Sequence, residues 1–193
     1  EHHFYGGYGI VGGQIPLAAG MAFASKYRNE DRITVCSFGD AAANQGALWE
    51  SFNMAAKWKL PVLYVVENNK YGMGTDIARV SAEPELHKRA SAFRMRGDVV
   101  DGMDVLAVHE KVTELAEYIR KGNGPVFLEV KCYRFRGHSM SDAATYRTKE
   151  EVEHVGADLQ AVLERVVRGA HAAAALLDAE AEAEVAPPLL HLE

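Results

Sequence analysis

VCSFGDAAANQGALWESFNMAAKWKLPVLYVVENNKYGMGT, Val35 to Thr75, decides how this chain folds. An apolar run from Ile33 to Phe38 predicts a buried strand that ends at Gly39-Asp40. Leu48, Phe52, Ala55, Ala56 and Trp58 then recur at spacings of three and four, which predicts a helix with one apolar face. A second apolar run, Val62 to Val66, ends at Glu67-Asn68-Asn69. Strand, helix and strand in that order form a right-handed crossover, which brings both strand ends to the same edge of a parallel sheet. Open α/β sheets bind ligands at that edge. Asp40 and Asn69 are therefore expected to converge, although 29 positions separate them.

A carboxylate and an amide oxygen are hard donors, suited to magnesium or calcium. Asn44-Gln45-Gly46 opens the intervening helix, where free backbone N–H groups and the helix dipole favour an anion. Together these features read as a magnesium-diphosphate site across two strand ends. The plainer alternative makes Asp40 a helix cap and Asn68-Asn69 a turn.

Gly39-Asp40-Ala41, twenty-six residues and then Asn68-Asn69 resembles the thiamine diphosphate motif. GDAAANQGALWESFNMAAKWKLPV, ENNKYGMGT, VDGMD and YRFRGHSMSD follow in the order found in alpha subunits of the thiamine-dependent 2-oxo acid dehydrogenases, the pyruvate dehydrogenase branch above all. The resemblance runs from about Phe4 to Glu151. It implies a three-layer α/β fold with a mainly parallel sheet, binding thiamine diphosphate and Mg2+. Asp40, the Asn69 side chain and the Tyr71 carbonyl would ligate the metal. Ala41 and Ala42 would approach the diphosphate through their backbones. Gly9, Val11 and Met73 would line the cofactor ring. His138 would hold the diphosphate and steer acyl transfer. The third motif residue is usually Gly and here is Ala41, which costs nothing if its φ is negative and is strained if its φ is positive.

The same resemblance implies decarboxylation of pyruvate with acetyl transfer to a lipoyl domain, and a beta subunit that supplies the carboxylate acting on the aminopyrimidine ring. Acetoin or branched-chain 2-oxo acid dehydrogenases, and a non-catalytic scaffold of the same fold, stay open as alternatives. In mitochondrial relatives the serine beside the histidine, here Ser139, is a kinase target. The N-terminal region of such subunits has no counterpart upstream of Glu1.

Composition sets the outer bounds. The 193 residues, 48% hydrophobic and 25% charged, are the profile of one globular domain. A net charge of −6 gives no basic footprint for nucleic acid, and no apolar run reaches bilayer length. Two cysteines, Cys36 and Cys132, lie in apolar strands, which suits free thiols in a reducing compartment; the resemblance implies cytoplasm in a bacterium and mitochondrial matrix in a eukaryote. No secretory signal is visible, but the chain starts at Glu1 and not at Met, so the missing targeting information means little.

Five glycines within residues 1–13 suggest backbone pressed close to a neighbour. Gln14 to Tyr27 reads as a helix whose small residues could face the core or a subunit interface. A short helical piece is expected around Glu83 to Ala90, with Lys88, Arg89, Arg94 and Arg96 on a solvated face. Asp104 should cap a helix of roughly Val105 to Arg120, and Val126 to Cys132 is a further strand. The loop Tyr133 to Arg147, dense in hydrogen-bonding groups, follows that strand onto the site edge. Residues 1–155 form the cofactor domain; 156–193 read as an alanine-rich helical extension, with a stripe from Leu159 to Val167 and a solvated run from Asp178 to Glu184.

Overall fold

The computed structural model of the chain describes residues 3–164 and 166. Four parallel strands form its sheet, in the order β1-β2-β6-β5. They are β1 (Thr34–Gly39), β2 (Val62–Asn68), β5 (Arg96–Asp101) and β6 (Val126–Lys131). Between β2 and β5 lies a two-residue hairpin, β3 (Tyr71–Gly72) with β4 (Thr75–Asp76). The helices are α1 (Gln14–Tyr27), α2 (Gly46–Trp58), the single turn α3 (Ile77–Val80) and α4 (Val105–Tyr118), with a fifth, α5, over 149–164.

The β1→β2 connection carries α2 and the β5→β6 connection carries α4, and the two step across the sheet in opposite directions. Crossovers of one hand then place their helices on opposite faces. The packing follows. One core joins Ile15, Ala18 and Ala22 of α1 and Leu48, Phe52 and Ala55 of α2 to Cys36, Phe38, Tyr64 and Val66 of the sheet. The other joins Leu115 of α4 and Ile119 to Leu63, Val100, Val126 and Leu128. Alternation along β2, with Tyr64 on one face and Leu63 on the other, is the period of two that a doubly covered strand requires. Phe52 anchors the first core, its ring centroid 4.8 Å from Tyr64 and 5.0 Å from Phe127.

Several expectations hold to the residue. Helix α1 spans Gln14–Tyr27. Asp104 caps α4, its Oδ1 accepting from Leu106 and Ala107 N–H at 3.0 and 3.2 Å. Cys36 is buried, Cys132 half-buried and both are free; burial pushes the Cys36 thiol up to about 12.

Others need correction. Trp58 leaves the apolar face of α2 and is exposed, with its ring 5.6 Å from that of Phe23 on α1. The helical piece before β5 is a 3-10 segment, Leu86–Phe93, three residues later than expected. Arg89 and Arg96 are not a free solvated face. Arg89 is half-buried and donates to the Glu83 carbonyl and Asn44 Oδ1, while Arg96 bridges Asp98 and Glu114 over the Tyr118 ring. On helix α5, Leu159 and Val162 are half-buried, while Leu163 of the expected stripe is exposed. Val167, the run from Asp178 to Glu184 and the rest of the extension lie outside the described residues.

Candidate functional site at the carboxyl edge of the sheet

Register builds the site. Gly39 pairs with Glu67 in the parallel β1–β2 ladder. Neighbouring strands lie about 4.8 Å apart, so the next residue along, Asp40, arrives beside Asn68 and Asn69. The Asp40 side chain is buried, at 3% exposure. Burial pushes its carboxyl above the usual carboxylate range; its own N–H, the Arg134 guanidinium and the Asn69 N–H pull the other way, and Asp76 adds to the push. Asp40 thus lies against the Asn69 backbone, while the Asn69 side chain turns to Tyr71 N–H.

Past Gly39 the chain does not enter α2 directly. Asp40–Asn44 forms a 3-10 segment, and α2 begins at Gly46. Ala41 has negative φ and carries no backbone strain. Its methyl group lies against Gly72: a Cβ built on Gly72 would fall 2.8 Å from Ala41 Cβ. Ala42 is buried.

The turn after β2 is shaped by paired Asx contacts. Asn68 Oδ1 accepts from Lys70 N–H at 3.0 Å, and Asn69 Oδ1 accepts from Tyr71 N–H at 3.1 Å. Asn69 and Tyr71 are half-buried. An amide oxygen and a carbonyl oxygen each have two lone pairs, so the Asn69 side chain and the Tyr71 carbonyl keep acceptor capacity.

Loop 132–148 closes onto this turn. Cys132 N–H donates to the Asn68 carbonyl at 3.0 Å, which extends the β2–β6 ladder by one rung. Arg134 then donates to the Tyr71 and Met73 carbonyls, both at 2.7 Å. Arg147 donates to the Asn69 carbonyl at 3.2 Å, with its guanidinium carbon 4.0 Å from the Tyr133 ring centroid and 4.9 Å from that of Tyr71. Three carbonyls, those of Asn69, Tyr71 and Met73, are thus held by two arginines of one loop. Their part was not singled out from sequence; the signal was the alternation of Arg and aromatic residues in YRFR and YR. Asp76, which caps α3 by accepting from Ala78 N–H at 2.7 Å, was also missed as a neighbour of Asp40.

The remaining expected positions sit farther out. His138 is exposed, and its hydrogen bond is local, from its N–H to Asp142 Oδ2 at 2.7 Å. Ser139 and Ser141 share a 3.0 Å hydroxyl contact in the same loop. Gly9 and Val11 are exposed, with the Val11 carbonyl accepting from Gln45 Nε2, and Met73 is exposed at positive φ.

The oxygens at this edge are of the hard type that suits magnesium or calcium: the buried Asp40 carboxyl with Asp76 nearby, and on the turn beside it the Asn69 amide and Tyr71 carbonyl oxygens. Among the described residues no group of three or more His, Cys, Asp or Glu side chains could hold a metal. No described helix is long and apolar enough to cross a membrane.

A family model described as "Dehydrogenase E1 component" matches residues 1–184. "Pyruvate dehydrogenase E1 component subunit alpha" of Rhizobium meliloti is 56% identical over 153 residues, 79% of this chain and 44% of that protein. The mitochondrial protein of that name from Dictyostelium discoideum is 54% identical over 154 residues, 79% of this chain and 40% of its own length. A solved structure from Mycobacterium smegmatis, titled a putative thiamin diphosphate-dependent enzyme, gives a TM-score of 0.49 at 24% identity, covering 65% of this chain and 23% of that one. The chain spans less than half the length of the curated relatives it matches. With a family match across nearly its whole length, this chain belongs to the dehydrogenase E1 component family.

Proposed function

We propose that the chain is the cofactor-binding part of a pyruvate dehydrogenase alpha subunit, taking thiamine diphosphate and Mg2+ at the carboxyl edge of the sheet. The observation that carries this reading is the meeting of the buried Asp40 carboxylate with the Asn69 turn, in a chain of this family. Asp40, Asn69 Oδ1 and the Tyr71 carbonyl would hold the metal. The backbones of Ala41 and Ala42 would face the diphosphate. Gly9, Val11 and Met73 would border the ring, and His138 would contact the diphosphate when its loop bends inward. When bound, thiamine diphosphate supplies the electron sink for decarboxylating a 2-oxo acid. This chain's residues bind and orient; the acetyl acceptor would be a lipoyl domain, and a beta subunit would complete the site. The compartment would be cytoplasm in a bacterium and the matrix in a eukaryote. The names carried by the relatives favour pyruvate over acetoin or a branched-chain 2-oxo acid.

Calorimetric titration of thiamine diphosphate tests the reading. The parent is expected to bind only with Mg2+ present, and Asp40→Ala to weaken that binding at least about 100-fold, since even partners behind the ligands cost 10–100-fold when removed. Equal affinity in the parent and the variant would refute the site.

A further inference from the structure

Glu129 is a buried charge that the site as described does not use. It lies on β6, in the middle of VFLEVK, with 0% exposure. A carboxylate without partners there would be costly, and its partners are specific. Asn68 Nδ2 donates to Oε1 at 2.6 Å, while His87 N–H and Nδ1 lie 3.0 and 2.6 Å from Oε2. An ionised carboxylate only accepts, so His87 Nδ1 carries its hydrogen toward Glu129. The His87 segment has no slack: a Cβ on Gly97 of β5 would collide with the His87 carbonyl. One side chain therefore ties together β6, the 3-10 segment before β5, and the last residue of β2.

Asn68 passes that constraint to the metal turn. Its amide has two ends with separate tasks. Nδ2 is fixed by Glu129, and Oδ1 accepts from Lys70 N–H at 3.0 Å. The plane of the Asn68 amide thus sets where the backbone goes immediately after β2. The next residue is Asn69, whose N–H faces Asp40 and whose Oδ1 holds Tyr71 N–H. We propose that Glu129 is a positioning residue for the metal: through Asn68 it fixes the turn that presents Asn69 and the Tyr71 carbonyl. The inference rests on the metal site proposed above. It assigns Asn68, the first of two adjacent asparagines, to architecture and leaves ligation to the second.

Exchange of donor and acceptor between the two side chains tests it. Asn68→Asp keeps an oxygen for Lys70 N–H but turns a second carboxylate oxygen toward Glu129, breaking the link. Glu129→Gln in the same chain offers Nε2 to that oxygen and leaves Oε1 for His87, restoring the link with its polarity reversed. Two readouts apply to the full chain: amide hydrogen exchange of Lys70 and Tyr71 without ligands, and calorimetric affinity for thiamine diphosphate with Mg2+. The single variant is expected to speed both amides and to weaken affinity about 10–100-fold, the cost usual for a partner behind a metal ligand. The double variant is expected to recover both. Parental exchange in Asn68→Asp, or a double variant no better than the single, would overturn the proposal. A parent that binds no cofactor with Mg2+ present would remove the metal site itself, and the exchange arm would still decide whether Glu129 holds the turn.

Discussion

At position 41 this chain departs from the usual motif glycine, and position 72 accommodates the departure. Ala41 has ordinary negative φ, so its methyl group costs nothing in backbone strain. The methyl does need room, and the room exists because residue 72 has no Cβ: one built there would lie 2.8 Å from Ala41 Cβ. Gly72→Ala is therefore expected to destabilise by about 1–3 kcal/mol, the usual cost of forcing a methyl into a filled space. Ala41→Gly in the same chain should recover most of that loss. A double-mutant cycle followed by chemical denaturation checks this, with a coupling of about 1–2 kcal/mol expected for residues in direct contact. Additive effects would show that the two positions do not share the space.

At the scale of elements, loop 132–148 and the β3–β4 hairpin hold one another. Arg134 satisfies two hairpin carbonyls with one guanidinium, and such charge-assisted bonds contribute about 1.5–3 kcal/mol when well made. Arg134→Met should cost about 1–3 kcal/mol in denaturation and should open the loop to limited proteolysis. Arg136→Met, on an exposed residue of the same loop, should stay within about 0.5 kcal/mol of the parent. Identical cleavage rates in both variants would mean that Arg134 does not anchor the loop. Elements of this chain were legible from sequence where the signal was local. The apolar runs gave β1, β2 and β6, the small-residue helix gave α1 to the residue, and Asp104 marked the start of α4. The register that joins Asp40 to Asn69 followed from topology alone. What escaped was long-range. Glu129 looks like one polar residue inside an apolar strand, and its partners lie 42 and 61 positions away. Arg134 reaches back 63 positions to Tyr71. The 3-10 segment Asp40–Asn44 escaped for another reason: DAAAN has the composition of a helix start, and a tighter first turn leaves no mark on periodicity.

For the molecule as a whole, the contrast lies between the well-packed Asp40–Asn69 edge and the open positions proposed to border the cofactor ring. Asp40 and Asn68 are buried among partners, but Val11 is 61% exposed and Met73 66% exposed, and Gly9 and His138 face solvent too. Phe4 and Ile10, in the same N-terminal segment as Gly9, are more exposed still. The proposed chemistry on a 2-oxo acid would need water kept out, and these exposed positions do not keep it out. The purified chain is therefore expected to bind thiamine diphosphate with Mg2+ and to show no steady decarboxylation of pyruvate. Turnover should appear when a beta-type chain of the same family is added, with an affinity change that tracks complex formation. The assay is carbon dioxide release under matched cofactor saturation, with and without the second chain. Steady release by the single chain would show that these exposed positions suffice unaided, and that the active site is not shared between subunits.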